Sequence, residues 1–348
     1  MRVSSLILLQ FILLIISLGM NCTSMDNATM GVDAFVFAQT NSSSEECSEN
    51  AEIGGRISLL GCERILLPGM SLPSESEISQ EVLFPEGLAV YSRGMTVQGR
   101  IEIPYVPHKV APSGSTVCVA PLSLSAFLAL DSGNGPLPRP GICSEVLEWK
   151  GTGSDKATKV TGLSFSIPED EMTGKRSGLY AIYALDRNRS LIAPAQAFFL
   201  TEGDAVLQAE DRHPSETQSI RINLSSIRDD GRRRLFAAAI MSRKDYDNAT
   251  IMMIMNESKP WPVLALSSAS RAMEIEANPA TFQGKLMDLI SLMPENSAIS
   301  MQESTQSSVQ LVLLADEAWE KGDYVINCAV YSPGIGIEGI KQKIIEVY

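Results

Sequence analysis

From Glu81 onward short apolar runs alternate with breaks rich in Gly and Pro, at 87–90, 95–103, 116–121, 126–130, 146–149, 160–167, 179–185 and 195–200. Runs of this length between turn residues predict an antiparallel β-sandwich or barrel. Pro104, Pro107, Pro112, Pro136, Pro138 and Pro140 fall between runs, where a missing N–H removes no ladder bond. A second series begins near Ser219, where Ile220, Ile222 and Leu224 alternate with Arg221, Asn223 and Ser225. That period of two buries one face and turns Asn223 outward. Asp229-Asp230-Gly231 then supplies a tight turn before the run 235–241, so 220–241 reads as a hairpin. Further strands are expected at 250–255, 263–266, 273–275, 309–314, 324–331 and 343–348. The stretch 284–293 has helical spacing instead, with Leu286, Leu289, Ile290 and Met293 on one face and Pro294 behind it.

The two series end alike. Gly178-Leu179-Tyr180-Ala181-Ile182-Tyr183-Ala184 aligns with Gly322-Asp323-Tyr324-Val325-Ile326-Asn327-Cys328, and an alternating strand and an acidic turn precede each. Strand, acidic turn, Gly-x-Tyr strand and closing strand resemble the end of an immunoglobulin-like sandwich, with Tyr180 and Tyr324 at its tyrosine-corner position. Cys328 lies four residues after Tyr324 and Ala184 takes its place in the first half, so no shared core disulfide is expected. Tyr324, Ile326, Cys328 and Val330 share one strand face, which makes Cys328 a buried, inert thiol.

The N-terminal part has a different texture. Arg2 precedes the apolar run 6–18, the order of a secretory signal; 3–20 as an uncleaved anchor is the alternative. Residues 21–80 are rich in Ser, Asn and Glu, and Glu45, Glu46, Glu49 and Glu52 read as a solvated acidic run. The expected architecture is all-β: two tandem immunoglobulin-like antiparallel β-sandwich domains after a signal segment and a low-order leader. The segments are 1–20 for the signal or anchor, 21–80 for the leader, 81–203 for the first sandwich, and 204–348 for the second, with a short helix near 284–293. Asp204, Glu210, Asp211 and Pro214 mark 203–219 as the linker.

Asn21, Asn27, Asn41, Asn188, Asn223, Asn248 and Asn256 each begin N-x-[ST], more than chance supplies, and agree with export and glycosylation. The six cysteines have no C-x-x-C spacing, so no zinc site is expected. In an exported chain Cys47 with Cys62, and Cys118 with Cys143, are the nearest disulfide pairings, although connectivity stays open; Cys22 lacks the small residue directly before it that a bacterial-type lipid anchor needs. The net charge of −13 repels phosphate backbones and disfavours nucleic acid.

Motifs with a chemical look are few. Gly334-Ile335-Gly336-Ile337-Glu338-Gly339 matches G-x-G-x-x-G, but the chain as given ends nine residues later, so the glycines read as the loop joining the last two strands. Arg232, Arg233 and Arg234 read as a solvated shoulder. His108 and His213 lie in loop contexts, and Trp149, Trp261 and Trp319 read as packing residues. Glu317 and Glu320 are an acidic pair whose separation sequence does not reveal. No catalytic residue, cofactor or metal ligand is assigned.

At the level of phrases, Leu235 to Asn248 (LFAAAIMSRKDYDN), Leu292 to Ser332 (LMPENSAISMQESTQSSVQLVLLADEAWEKGDYVINCAVYS) and Ile167 to Leu191 resemble a family of methanogen extracellular proteins. The resemblance implies an archaeal surface protein of unassigned activity. The expected function is a noncatalytic cell-surface or envelope module with a structural or adhesive role. Its partner would be a surface protein or polymer, and membrane contact would run only through an N-terminal anchor. An extracellular ligand-binding module is the alternative, and an exported hydrolase a third reading.

Overall fold

The structure, a computed structural model, describes residues 56–66, 69–72, 80–82, 87–104, 116–121, 142–145, 147–148, 160–185, 191–247, 250–254, 263–267, 272–276, 297–315 and 319–348. The expected signal or anchor and the helix near 284–293 lie outside these residues. The fold is all-β, built of several sheets with two short helices among the described residues.

In the first sandwich one sheet runs β1 (Arg56–Leu60), β6 (Val97–Pro104), β10 (Val160–Ile167), β9 (Leu147–Glu148). The facing sheet runs β2 (Glu63–Ile65), β5 (Leu88–Ser92), β12 (Leu191–Thr201), β11 (Gly178–Leu185), β7 (Thr116–Pro121), β8 (Ile142–Glu145). Their inner faces enclose Tyr91, Val97, Ile101, Phe165, Ile167, Ile182 and Phe198 among others. The turn helix α1 (Glu169–Thr173) adds Met172 to this core. Ile57 and Leu59 are also core residues, so the leader's bound at residue 80 is corrected: the first sandwich includes β1. The apolar runs here are short and follow a Ser-, Asn- and Glu-rich stretch, which hid this; β1 needs only alternate residues to fill its single buried face.

The second sandwich pairs β13 (Ala205–Gln208), β15 (Ser219–Ser226) and β21 (Ser308–Leu314) with the order β14 (Arg212–His213), β23 (Gly336–Val347), β22 (Gly322–Ser332), β16 (Arg234–Ser242), β20 (Ser297–Ser304). Ile220, Ile222 and Leu224 are buried while Arg221 and Asn223 are exposed, the alternation seen in the sequence. The expected 220–241 hairpin is corrected, because β15 pairs with β13 and β21 while β16 pairs with β20 and β22. Residues 227–233 carry the chain between the two layers.

The repeat extends through both sandwiches: the last strand of each, β12 or β23, pairs antiparallel with the Gly-x-Tyr strand and parallel with an early strand, β5 or β14. Each tyrosine corner closes on the backbone four residues upstream. Tyr180 donates to the Arg176 carbonyl at 2.8 Å and Tyr324 to that of Glu320 at 3.1 Å. Trp319 lies edge-on to Tyr324 with ring centroids 5.4 Å apart.

Two features go beyond a tandem of sandwiches. The larger sheets are buried on both faces: Tyr180, Ile182 and Ala184 of β11 point into the first core, yet Leu179, Ala181 and Tyr183 are buried too. On β22 the same holds for Val325, Asn327, Ala329 and Tyr331. The helix α2 (Arg243–Asp247) covers part of that outer face with Tyr246. Secondly, a five-stranded sheet is assembled from both halves in the order β19 (Ala272–Glu276), β18 (Val263–Ser267), β17 (Thr250–Ile254), β3 (Gly69–Leu72), β4 (Gln80–Val82). β3 and β4 lie in the chain between β2 and β5, while β17 to β19 lie between β16 and β20. The parallel β3–β17 ladder, with Ile251 opposite Met70, therefore ties the halves together.

Candidate functional site

The densest cluster of buried charge sits where four strands of the second sandwich begin or end. Arg234 opens β16, Ser226 closes β15, Ser332 closes β22, and Glu338 is the third residue of β23. The side chains of Arg234 and Glu338 have no exposed surface, and Arg234 Nε donates to Glu338 Oε2 at 2.9 Å. Ser226 Oγ donates to the same oxygen at 2.5 Å, and Ser332 Oγ donates to Oε1. Arg234 also reaches Asp230 Oδ1 at 2.5 Å and the Arg232 carbonyl at 3.3 Å. Burial alone would raise the Glu338 carboxyl, but the donors Ser226 and Ser332 and the Arg234 guanidinium outweigh it and hold it below the ordinary carboxylate range.

The expectation of a solvated arginine shoulder is corrected for Arg234. Arg232 and Arg233 stay exposed, paired with Asp230 and Glu303, whereas Arg234 is the first residue of a strand buried on both faces. Of the glycine-rich motif only Gly334 and Ile335 lie in the turn between β22 and β23; the expected loop is corrected for Gly336 to Gly339, which belong to β23, where Glu338 is the buried anchor.

A few ångströms of chain away, the sandwiches meet. Thr201, Glu202 and Gly203 are buried, so the expected linker at 203–219 is corrected at its start. Glu202 Oε2 pairs with Arg93 Nη1 at 2.5 Å, and Oε1 accepts from Arg93 Nη2 at 2.9 Å and from the Ser177 N–H at 2.8 Å. Its own N–H donates to the Ile337 carbonyl at 2.8 Å, and that of Gly203 to the Glu338 carbonyl at 3.0 Å. Arg228 donates to the Glu202 carbonyl at 2.5 Å. Gly336 permits this approach, since a Cβ on it, at φ +115°, would overlap Ser177 Oγ; a Cβ on Gly339 would lie 2.5 Å from the Ala205 nitrogen of β13, inside the second sandwich.

Beside the junction, Gln342 of β23 grips Leu66 as a strand neighbour would. The Leu66 N–H donates to Gln342 Oε1 at 2.8 Å, while Gln342 Nε2 donates to the Leu66 carbonyl at 3.3 Å and to Asn327 Oδ1 at 2.7 Å. Tyr246 also donates to the Leu66 carbonyl. Lys341 pairs with Asp204 at 2.8 Å and with Glu63.

The remaining residues singled out in the sequence scatter. Asn223 is exposed at the middle of β15; Asn21, Asn27, Asn41, Asn188, Asn248 and Asn256 lie outside the described residues. Cys118 is disulfide-bonded, and the β7–β8 register sets it directly opposite Cys143. Cys62 is corrected from disulfide partner to free thiol: it is half-buried after β1, packed on the first core beside the Tyr91 hydroxyl. Cys47 lies outside the described residues. Cys328 is free and buried in the second core, and desolvation pushes its thiol pKa up. His213 is corrected from loop to strand, since β14 pairs in parallel with the end of β23 and buries it opposite Val347. Trp319 is a core residue, while His108, Trp149 and Trp261 lie outside the described residues. Among the described residues no group of His, Cys, Asp and Glu is placed to hold a metal, and no helix is long and apolar enough to cross a membrane.

Sequence reading missed Glu338 and Arg234 as partners. The available signal was weak: a carboxylate between Ile337 and Ile340, and an arginine directly before the run Leu235 to Met241. Chemically the cluster holds strand ends and domains together, with each carboxylate oxygen of Glu338 and Glu202 engaged by donors of the same chain.

No family model matches the chain, and no curated protein matches it by sequence. Among solved structures it is similar to a red sea bream transglutaminase, at 11% identity and a TM-score of 0.29, over 74% of this chain and 30% of that one. A glycosyl hydrolase family 2 member from Bacteroides cellulosilyticus matches at 11% identity and a TM-score of 0.20, over 77% of this chain and 24% of that one. A tetra-tandem repeat from the extending region of a large adhesion protein matches at 10% identity and a TM-score of 0.20, over 74% and 48%. The chain thus spans less than a third of the length of the first two. Scores this low leave the reading of function to the chain's own residues.

Proposed function

We propose that the chain is an exported, glycosylated, noncatalytic module of a cell surface or envelope, acting as a structural spacer or adhesive element. The observation that carries this reading is how the buried charges are spent. Glu202, with the half-buried Arg93, ties strand ends of the first sandwich together, and Arg234 with Glu338 does so in the second, which suits a part whose work is holding a shape. Export draws on the N-terminal apolar run and the sequons, of which Asn223 lies on an open strand face. The resemblance to methanogen extracellular proteins agrees with it, as does the disulfide at Cys118, a bond that persists outside reducing compartments.

The test is surface labelling of intact cells with a membrane-impermeant amine reagent, followed by intact-mass analysis of the recovered chain. The expected result is a labelled chain that lacks residues before about Asn21 or remains membrane-bound through them, and carries glycan mass. An unlabelled chain found only inside the cell, with Met1 and unmodified sequons, overturns the proposal.

A further inference from the structure

We propose that the join between the sandwiches is a clamp rather than a hinge, so that the two halves keep one fixed orientation. This goes beyond the surface reading and stands apart from where the protein works. Chains of sandwich domains joined by an open linker reorient freely, because few groups cross the join. Here three separate devices cross it.

The first is backbone pairing. Glu202 and Gly203, directly after β12, donate to the Ile337 and Glu338 carbonyls of β23. The last strand of the first sandwich thus continues as a short neighbour of the last strand of the second. A change of angle disturbs both bonds and the Arg228 bond to the Glu202 carbonyl, while Arg93 and Ser177 hold the buried Glu202 side chain on the first sandwich. The approach is close, since a methyl group at Gly336 of the second sandwich would overlap Ser177 of the first.

The second device lies further along β23. Gln342 presents an amide to the Leu66 backbone, imitating one rung of a β-ladder, and Lys341 bridges Glu63 and Asp204. These contacts grip the end of β2, a different strand of the first sandwich from β12. Two grips on different strands stop rotation that either alone would permit.

The third is the sheet shared between the halves, where β3 from one runs parallel to β17 from the other. It begins just after Leu66 and Tyr246, both bound at the Gln342 site, so the ladder continues the second grip outward. Proximity in the chain explains none of this: Leu66 and Gln342 are 276 residues apart.

Pulsed electron–electron distance measurement on the full chain tests the clamp. Spin labels go on Ser166→Cys in the first sandwich and Gln310→Cys in the second, both exposed strand positions. The background carries serine at Cys22, Cys47 and Cys62, and Cys328 is buried. A control pair within the second sandwich, Gln302→Cys with Gln310→Cys, gives the width due to the labels alone. The expected result is one distance between the sandwiches with a distribution no wider than the control. Gln342→Ala with Lys341→Ala, and separately Gly336→Val, should broaden it; the milder pair serves if Gly336→Val does not fold. A broad distribution in the parent chain overturns the clamp, and so does a narrow one that folded variants leave unchanged.

Discussion

Replacing Arg234 by methionine keeps an unbranched stem but shortens the side chain and removes its charge. Glu338 would then be a carboxylate with no exposed surface, facing Ser226 and Ser332 but no cation. Breaking a buried pair by removing one partner costs about 3–5 kcal/mol. With a urea slope of about 2–3 kcal/mol per molar, the unfolding midpoint followed by tryptophan fluorescence should fall by roughly 1–2.5 M at pH 7. The pH dependence gives the sharper test. In the parent the Glu338 carboxyl titrates below its unfolded value of about 4.3, so its contribution is intact above that value and is lost as pH falls through the folded one. In Arg234→Met burial dominates, and the folded carboxyl titrates above the unfolded value. Its penalty is then largest at neutral pH and shrinks on acidification as the group becomes neutral. The gap between variant and parent should therefore narrow from pH 7 to pH 5. Replacing both partners, Arg234→Met with Glu338→Leu, should recover most of the loss, because no charge is left stranded. A single-variant loss below about 1 kcal/mol at pH 7, or a gap that does not narrow at pH 5, would refute the reasoning.

Three further outcomes are expected. Cys328 should resist iodoacetamide until the protein unfolds, and Cys328→Asp should destabilise by several kcal/mol, roughly the cost of a buried unpaired charge; rapid labelling of the folded protein would count against it. Peptide mapping without reductant should find Cys118 joined to Cys143, and reduction should lower stability by about 3–4 kcal/mol; Cys118 linked to any other cysteine would reject that pairing. Tyr324→Phe and Tyr180→Phe should each cost about 1 kcal/mol in urea unfolding, the net worth of one hydrogen bond, and two neutral results would make the corners incidental.

The local part of this architecture is written in the residues themselves. Period-two alternation in 219–226 and 308–314 marks which side chains are buried, because a strand sends neighbouring side chains to opposite faces whatever surrounds it. Gly-x-Tyr after an acidic turn locates both tyrosine corners, since the hydroxyl reaches a carbonyl only four residues away. Where partners are far apart in the chain, pattern fails. Residues 56–66 read as leader although β1 fills one wall of the first core, and 203 read as linker although it is buried against β23. Continuous burial on β16 and β22 erased the alternation that distinguishes an inner from an outer face. Arg234 and Glu338, 104 residues apart, were an arginine in a basic run and a glutamate in a glycine loop until the fold closed. Sequence determined the strands and the faces they offer, because those depend on neighbours one to four residues away. Only the tertiary structure decided which faces meet, because a charge or an amide finds its partner through burial at a distance that no local period encodes.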